Sequence, residues 1–144
     1  MKRTFLVLLV GGLLACKKTA GPADSAPAIG QPFELGLQKA ATLSGSGGPI
    51  SLTLTEVHEA RCPSGMQCIW AGYAAVAVQL SDATGIPQTA RISLLNKYLP
   101  TYTLDSVSVE LNQKTYWLRL LEVTPYPGTN GGQLTTAKLR LRPA

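Results

Sequence analysis

Histidine appears once in these 144 residues and cysteine three times, while aromatic side chains make up 6% and charged ones only 15%. One histidine and the lack of a Gly-x-Ser-x-Gly elbow leave nucleophilic triads without a pattern, so an enzyme is not expected. Acidic residues number eight, and no run of like charge interrupts the chain; the formal charge of +5 is too small and too scattered to indicate a nucleic-acid partner. No apolar run reaches the roughly 20 residues of a membrane-crossing helix, the N-terminal one covering residues 5–14. What the chain does have is 14 glycines, 10 prolines and an apolar set dominated by leucine and β-branched residues. That composition favours strands and turns, and the length suits one domain with a true core.

Residues 1–15 have the parts of an export signal: basic Lys2-Arg3, the apolar run broken by Gly11-Gly12, and small Ala15 ahead of Cys16. Leu13-Leu14-Ala15-Cys16 resembles the lipobox of bacterial lipoproteins, which implies a diacylglycerol on the Cys16 thiol and cleavage just before it. More than one acyl chain makes such attachment stable. Removal of Lys2 and Arg3 leaves eleven basic and eight acidic residues, a net +3. Residues 16–32 then read as lipidated cysteine and unfolded tether, rich in alanine, proline and glycine with no apolar period. In bacteria that sort lipoproteins by the residue after the cysteine, Lys17 implies the outer membrane, facing the periplasm.

Residues 33–144 read as the folded domain. Phe33, Leu35 and Leu37 alternate with polar or small residues, as do Ile50, Leu52 and Leu54, with a turn-forming cluster at residues 44–49 between them. The alternation slips at Glu56-Val57, as at a bulge. Residues 69–80 are apolar on both faces, with Trp70, Ala74, Val76, Val78 and Leu80 inward and Ala71, Tyr73, Ala75 and Ala77 on a narrow second face. This marks a central strand with Trp70 in the core. Further strands are expected over 88–95, 101–104, 107–111, 115–123 and 134–142, with a hairpin turn at Asn112-Gln113. In 115–123, Tyr116, Leu118 and Leu120 compete with Trp117, Leu121 and Val123 for the inward phase. The expected fold is all-β, an antiparallel two-sheet sandwich of about seven strands, immunoglobulin-like in architecture, with a small barrel as the alternative.

Cys62 and Cys68 enclose Pro63 and Gly65, a spacing that suits a local disulfide better than a metal knuckle, for which ligands are too few. No metal or cofactor is expected. Closing such a loop removes about 2.4 kcal/mol of unfolded-state entropy in the chain-entropy picture, so the bond reads as a staple first. The loop also presents Met66 as a candidate partner contact. Glu56 and His58 lie close enough on one strand to share a proton, yet no nucleophile stands beside them, and they read as a solvated strand end. Lys138, Arg140 and Arg142, spaced by two, form a basic stripe opposite Ala137, Leu139 and Leu141. The stripe is suited either to lipid phosphates or an acidic envelope polymer, or to guarding a sheet edge against pairing.

The lipobox, the tether, Arg61-Cys62-Pro63, Cys68-Ile69-Trp70-Ala71-Gly72 and Val123-Thr124-Pro125-Tyr126-Pro127 together resemble a group of small uncharacterised bacterial lipoproteins. The resemblance implies a location in the cell envelope and a fold family, and it transfers no catalytic residue. The expected function is a membrane-tethered, non-catalytic binding or structural role in the envelope. The alternative is an inhibitor or protein-partner module that uses the loop between Cys62 and Cys68.

Overall fold

Alternation in the sequence becomes two faces in the structure. The computed structural model describes residues 26–45, 47–95, 101–129 and 132–144, so the export signal, Cys16 and residues 17–25 of the tether lie outside it. In β1 (Pro32–Gly36), Phe33 and Leu35 turn into the core while Glu34 faces out. In β3 (Gly48–Glu59), Ile50, Leu52 and Leu54 do the same. The remaining strands are β2 (Ala40–Gly45), β4 (Ala74–Ser81), β5 (Gln88–Leu94), β6 (Thr103–Leu104), β7 (Ser106–Leu111), β8 (Lys114–Thr124) and β9 (Thr136–Pro143). They form a four-stranded sheet in the order β1-β9-β8-β7 and a five-stranded sheet in the order β2-β3-β4-β5-β6.

The two sheets pack their leucine-rich inner faces into one core and do not close into a barrel. All pairings are antiparallel except that of the two-residue β6 with β5. The strand count exceeds the expected seven chiefly because β2 has one large apolar residue, Leu43, and therefore no alternation to read.

Two bulges resolve the irregular patterns. The slip at Glu56 is a register shift between Leu54 and Glu56 against β4. In β8 a second shift, between Leu120 and Glu122, lets both competing phases face inward: Tyr116, Leu118 and Leu120 before it, Val123 after it. An extra residue in one strand exchanges its faces.

The central strand is β4, but it starts at Ala74 and not at Ile69. Its second face is covered, since Ala75 and Ala77 are buried. Tyr102 lies on this face, its ring meeting that of His58 on β3 edge-on at 6.1 Å and its hydroxyl feeling the charge of Arg91 on β5. Only a methyl-sized side chain leaves room for a ring above it.

Strand directions give the sandwich two poles. At one lie the β2–β3, β4–β5 and β7–β8 turns and the chain arriving from the N-terminus, where Ala28 bridges to Ser44 and Gly30 N–H donates to Leu141 O. The packed chain thus starts a few residues before Phe33, with Ile29 set against the core.

This pole is tied across the sheets by Asp82, whose carboxylate accepts the Asn112 N–H at 2.6 Å and the Thr84 N–H at 2.9 Å. Bonds from the Thr84 hydroxyl first, and then from the Asn112 and Thr84 amides, hold the Asp82 carboxyl below its ordinary value. A depressed folded-state pKa stabilises the fold above the ordinary aspartate value of about 3.9, and that stability drains as pH falls through the folded value. Urea midpoints measured from neutral pH into acid should therefore fall less steeply for Asp82→Ala than for wild type. Parallel acid limbs would show that the tie is not made in solution.

Candidate functional site

The opposite pole is built on an extension of the β3–β4 hairpin. Beyond Glu59 and Ala74 the same register continues, with Ala60 N–H donating to Tyr73 O and Cys62 N–H to Ala71 O, each at 2.9 Å. Arg61 therefore stands opposite Gly72. The chain leaves the ladder at Pro63 and turns at once, Met66 N–H closing on Pro63 O at 3.1 Å across Gly65 with φ 80°. The Cys62–Cys68 disulfide, Cα atoms 5.9 Å apart, fixes the return. Residues 63–70 are thus held by a ladder, a turn and a covalent bond.

Arg61 attaches this loop to the rest of the molecule. Its side chain is 6% exposed, and its Nε lies 2.8 and 3.0 Å from the two oxygens of Glu59 while Nη2 bonds the same carboxylate. Nη2 also donates to Val123 O at 2.8 Å, and the guanidinium lies 4.4 Å from the centre of the Tyr126 ring. Planar geometry and several fixed donors allow one arginine to make all of these contacts. Glu59 belongs to the five-stranded sheet, and Val123 and Tyr126 to the end of β8 and the turn after it. Ser64 N–H adds a bond to Pro127 O at 2.9 Å. The Arg-Cys-Pro and Pro-Tyr-Pro segments, distant in sequence, form one clasp.

The clamped loop presents apolar side chains to solvent. Met66 is 66% exposed, Trp70 59%, and Ile69 stands fully out. This corrects the expectation of Trp70 in the core: Trp70 precedes β4, in the loop, and its ring neighbours that of Tyr73 at 6.2 Å between centres. An apolar run in sequence marks burial only where sheet partners exist on both sides, and the ladder stops at Ala71. Tyr126, Leu37 and Leu134 continue the apolar surface around the same pole. A groove of about 290 Å³ runs between Leu37 and Tyr126, lined also by Val57 and Thr135.

The other sequence candidates fall elsewhere. Glu56 and His58 are brought together, 3.6 Å apart and each half exposed, but on the outer face of the five-stranded sheet. Beside them burial, and then the Glu56 carboxylate, push the Tyr102 hydroxyl above its ordinary value. Neither Glu56 nor His58 lines the groove. Lys138, Arg140 and Arg142 share the outer face of the four-stranded sheet, on a strand flanked by both β1 and β8. Lys138 and Arg140 are paired on both sides and do not guard a sheet edge, while Arg142 lies past the last pair with β1.

Arg61 is the residue that sequence reasoning passed over as a site element. Its pattern gives one cue, an arginine two residues after a glutamate at a strand end, and its other partners lie more than sixty positions away. Comparison of the chain with protein-family models, with curated proteins and with solved structures found no match.

Proposed function

We propose that this chain is a membrane-tethered, non-catalytic lipoprotein of the bacterial cell envelope that binds a protein partner through the loop closed by Cys62 and Cys68. The observation that supports it is the exposure of Met66, Ile69 and Trp70 on a loop held at its base by the disulfide, the ladder and the Arg61 clasp. Scattered apolar residues on a surface need no explanation, but three large exposed ones within five positions of a pre-ordered loop suit partner recognition. Rigidity removes the ordering cost that a free loop would pay on binding. Methionine and tryptophan are enriched in such contacts, one adaptable, the other large and rigid.

The chain from Cys16 enters the sandwich at the N-terminal pole, opposite the loop, which leaves the loop clear of the tether's entry point. A partner in the envelope space or on a facing surface is then within reach. The test is site-specific photocrosslinking in the intact envelope, with the crosslinker at position 66 and, as the opposite-pole control, at exposed Ile86. Position 66 should give one adduct of defined mass, and Trp70→Ser should reduce it by roughly thirtyfold in apparent affinity, the loss typical of a hot spot. Equal adducts from both positions, or none from position 66, would remove the loop as the contact surface. Mass spectrometry of the mature N-terminus tests the anchor: an N-terminal Cys16 without lipid mass ends that part of the reading.

A further inference from the structure

The outer face of the four-stranded sheet carries Lys138 in register between Glu34 and Glu122 toward the loop pole, and Glu110 on β7 toward the N-terminal pole. Toward the N-terminal pole the register sets Arg140 beside Arg119, and Arg142 beside Trp117. Directly opposed like charges on neighbouring strands are destabilising. Arg119 is offset by Asp105 at 3.2 Å, but among the described residues Arg140 and Arg142 take part in no ion pair, and Arg140 Nε makes no hydrogen bond. Arg140 has strand partners on both sides and is not needed to repel a sheet edge, while Arg142 lies past the last β1 pair. Arg140, half-buried with its Nε out of solvent, and the exposed Arg142 thus stand beside a part-exposed tryptophan, with Ser106, Ser108 and Glu110 on the adjoining strand.

Pro32 pairs with Arg140 and Gly30 bonds to Leu141, so the chain from Cys16 reaches the sandwich next to this patch. Gly30 lies fourteen positions after Cys16, a span of at most about 50 Å, while β3 alone runs about 40 Å from pole to pole. The patch lies at the end where the tether enters, and the apolar loop at the opposite end.

We propose that Arg140, Arg142 and Trp117 dock the domain on the anionic phospholipid headgroups of the membrane that carries its anchor, holding the loop between Cys62 and Cys68 outward. This inference rests on the anchorage proposed above. Arginines pair with phosphate oxygens through two parallel N–H bonds, and tryptophan favours the headgroup level of a bilayer. Each arginine near an anionic surface adds roughly fivefold to the docked population, and both together about 25-fold.

The experiment uses the mature lipidated protein on vesicles of phosphatidylcholine, alone or with about 30% phosphatidylglycerol, with brominated acyl chains as quenchers of tryptophan. The two tryptophans sit at opposite poles, so Trp70→Phe leaves Trp117 as the reporter of the patch and Trp117→Phe leaves Trp70 as the reporter of the loop. Trp117 quenching should at least double when phosphatidylglycerol is present. It should return to the phosphatidylcholine level in Arg140→Gln/Arg142→Gln, and in about 0.5 M salt, where screening acts within roughly 4 Å. Trp70 should stay unquenched throughout.

Trp117 quenching that ignores lipid charge or the two arginines overturns the docking and leaves the anchorage standing. Quenching of Trp70 overturns both the docking and the outward loop. A protein that floats with neither vesicle overturns the anchorage together with the docking.

Discussion

Arg61→Ala is expected to lower the unfolding free energy by about 3 to 5 kcal/mol, the range seen when one partner of a buried ion pair is removed. Several losses combine at this position. Glu59, with 27% of its side chain exposed, keeps a charge whose partner is gone, and Val123 O loses the donor that satisfied it. Tyr126 loses the guanidinium 4.4 Å from its ring centre. A cavity also opens where the 6%-exposed side chain was. Arg61→Lys keeps the charge but not the fork that serves Glu59 and Val123 together, so it should recover less than half.

Arg61→Met with Glu59→Gln should recover more than Arg61→Lys, because it removes both charges and fills the space. Urea unfolding of the set, with hydrogen exchange at the Ser64 amide that bonds Pro127 O, reads stability and loop attachment separately. A loss below about 1 kcal/mol for Arg61→Ala, inside the range of exposed pairs, would mean that the clasp is open in solution.

The sandwich was legible where burial acts on one face at a time. Phe33 and Leu35 alternate because β1 has solvent on its other side, and Ile50, Leu52 and Leu54 alternate for the same reason. The alanines of β4 also told the truth: a strand covered on both faces reads as apolar on both, and the small face is the one that lies beneath Tyr102. Bulges were half legible. The slip at Glu56 shows because the pattern breaks there, but in β8 Trp117 and Leu121 are apolar on the outer side, so the break left two competing phases. Trp70 misled for a related reason, since a residue two places beyond a cystine on an apolar run looks like core when nothing in the sequence says where the ladder ends. The clasp was invisible because it depends on Arg61 meeting Val123 and Tyr126, and no local periodicity encodes a contact between the ends of two sheets. Its two halves did stand out as motifs, Arg-Cys-Pro and Pro-Tyr-Pro, without any sign that they touch.

Gly72 carries the second large expected effect. Its φ is 75°, and a Cβ built there would stand 1.9 Å from Ala60 O and 2.7 Å from the Cα of Arg61. Both are backbone atoms of the facing strand and cannot swing aside as a side-chain tip would. Gly72→Ala must therefore push apart the ladder that ends in Cys62 and Ala71, at an expected cost of at least about 4 kcal/mol. Gly65, with φ 80° and open space around it, supplies the control. Gly65→Ala incurs only the left-handed backbone penalty, about 1 to 2 kcal/mol, so the difference between the two variants isolates the steric overlap. Because the overlap falls on the backbone of Arg61, Gly72→Ala should already displace the guanidinium from Val123 and Tyr126. Adding Arg61→Ala to it should then cost far less than the 3 to 5 kcal/mol expected in the wild-type background, a non-additivity of at least about 2 kcal/mol. Chemical denaturation of both single variants and the double variant measures that difference. Simple additivity would mean that ladder and clasp are independent, and that the loop keeps its place by the disulfide alone.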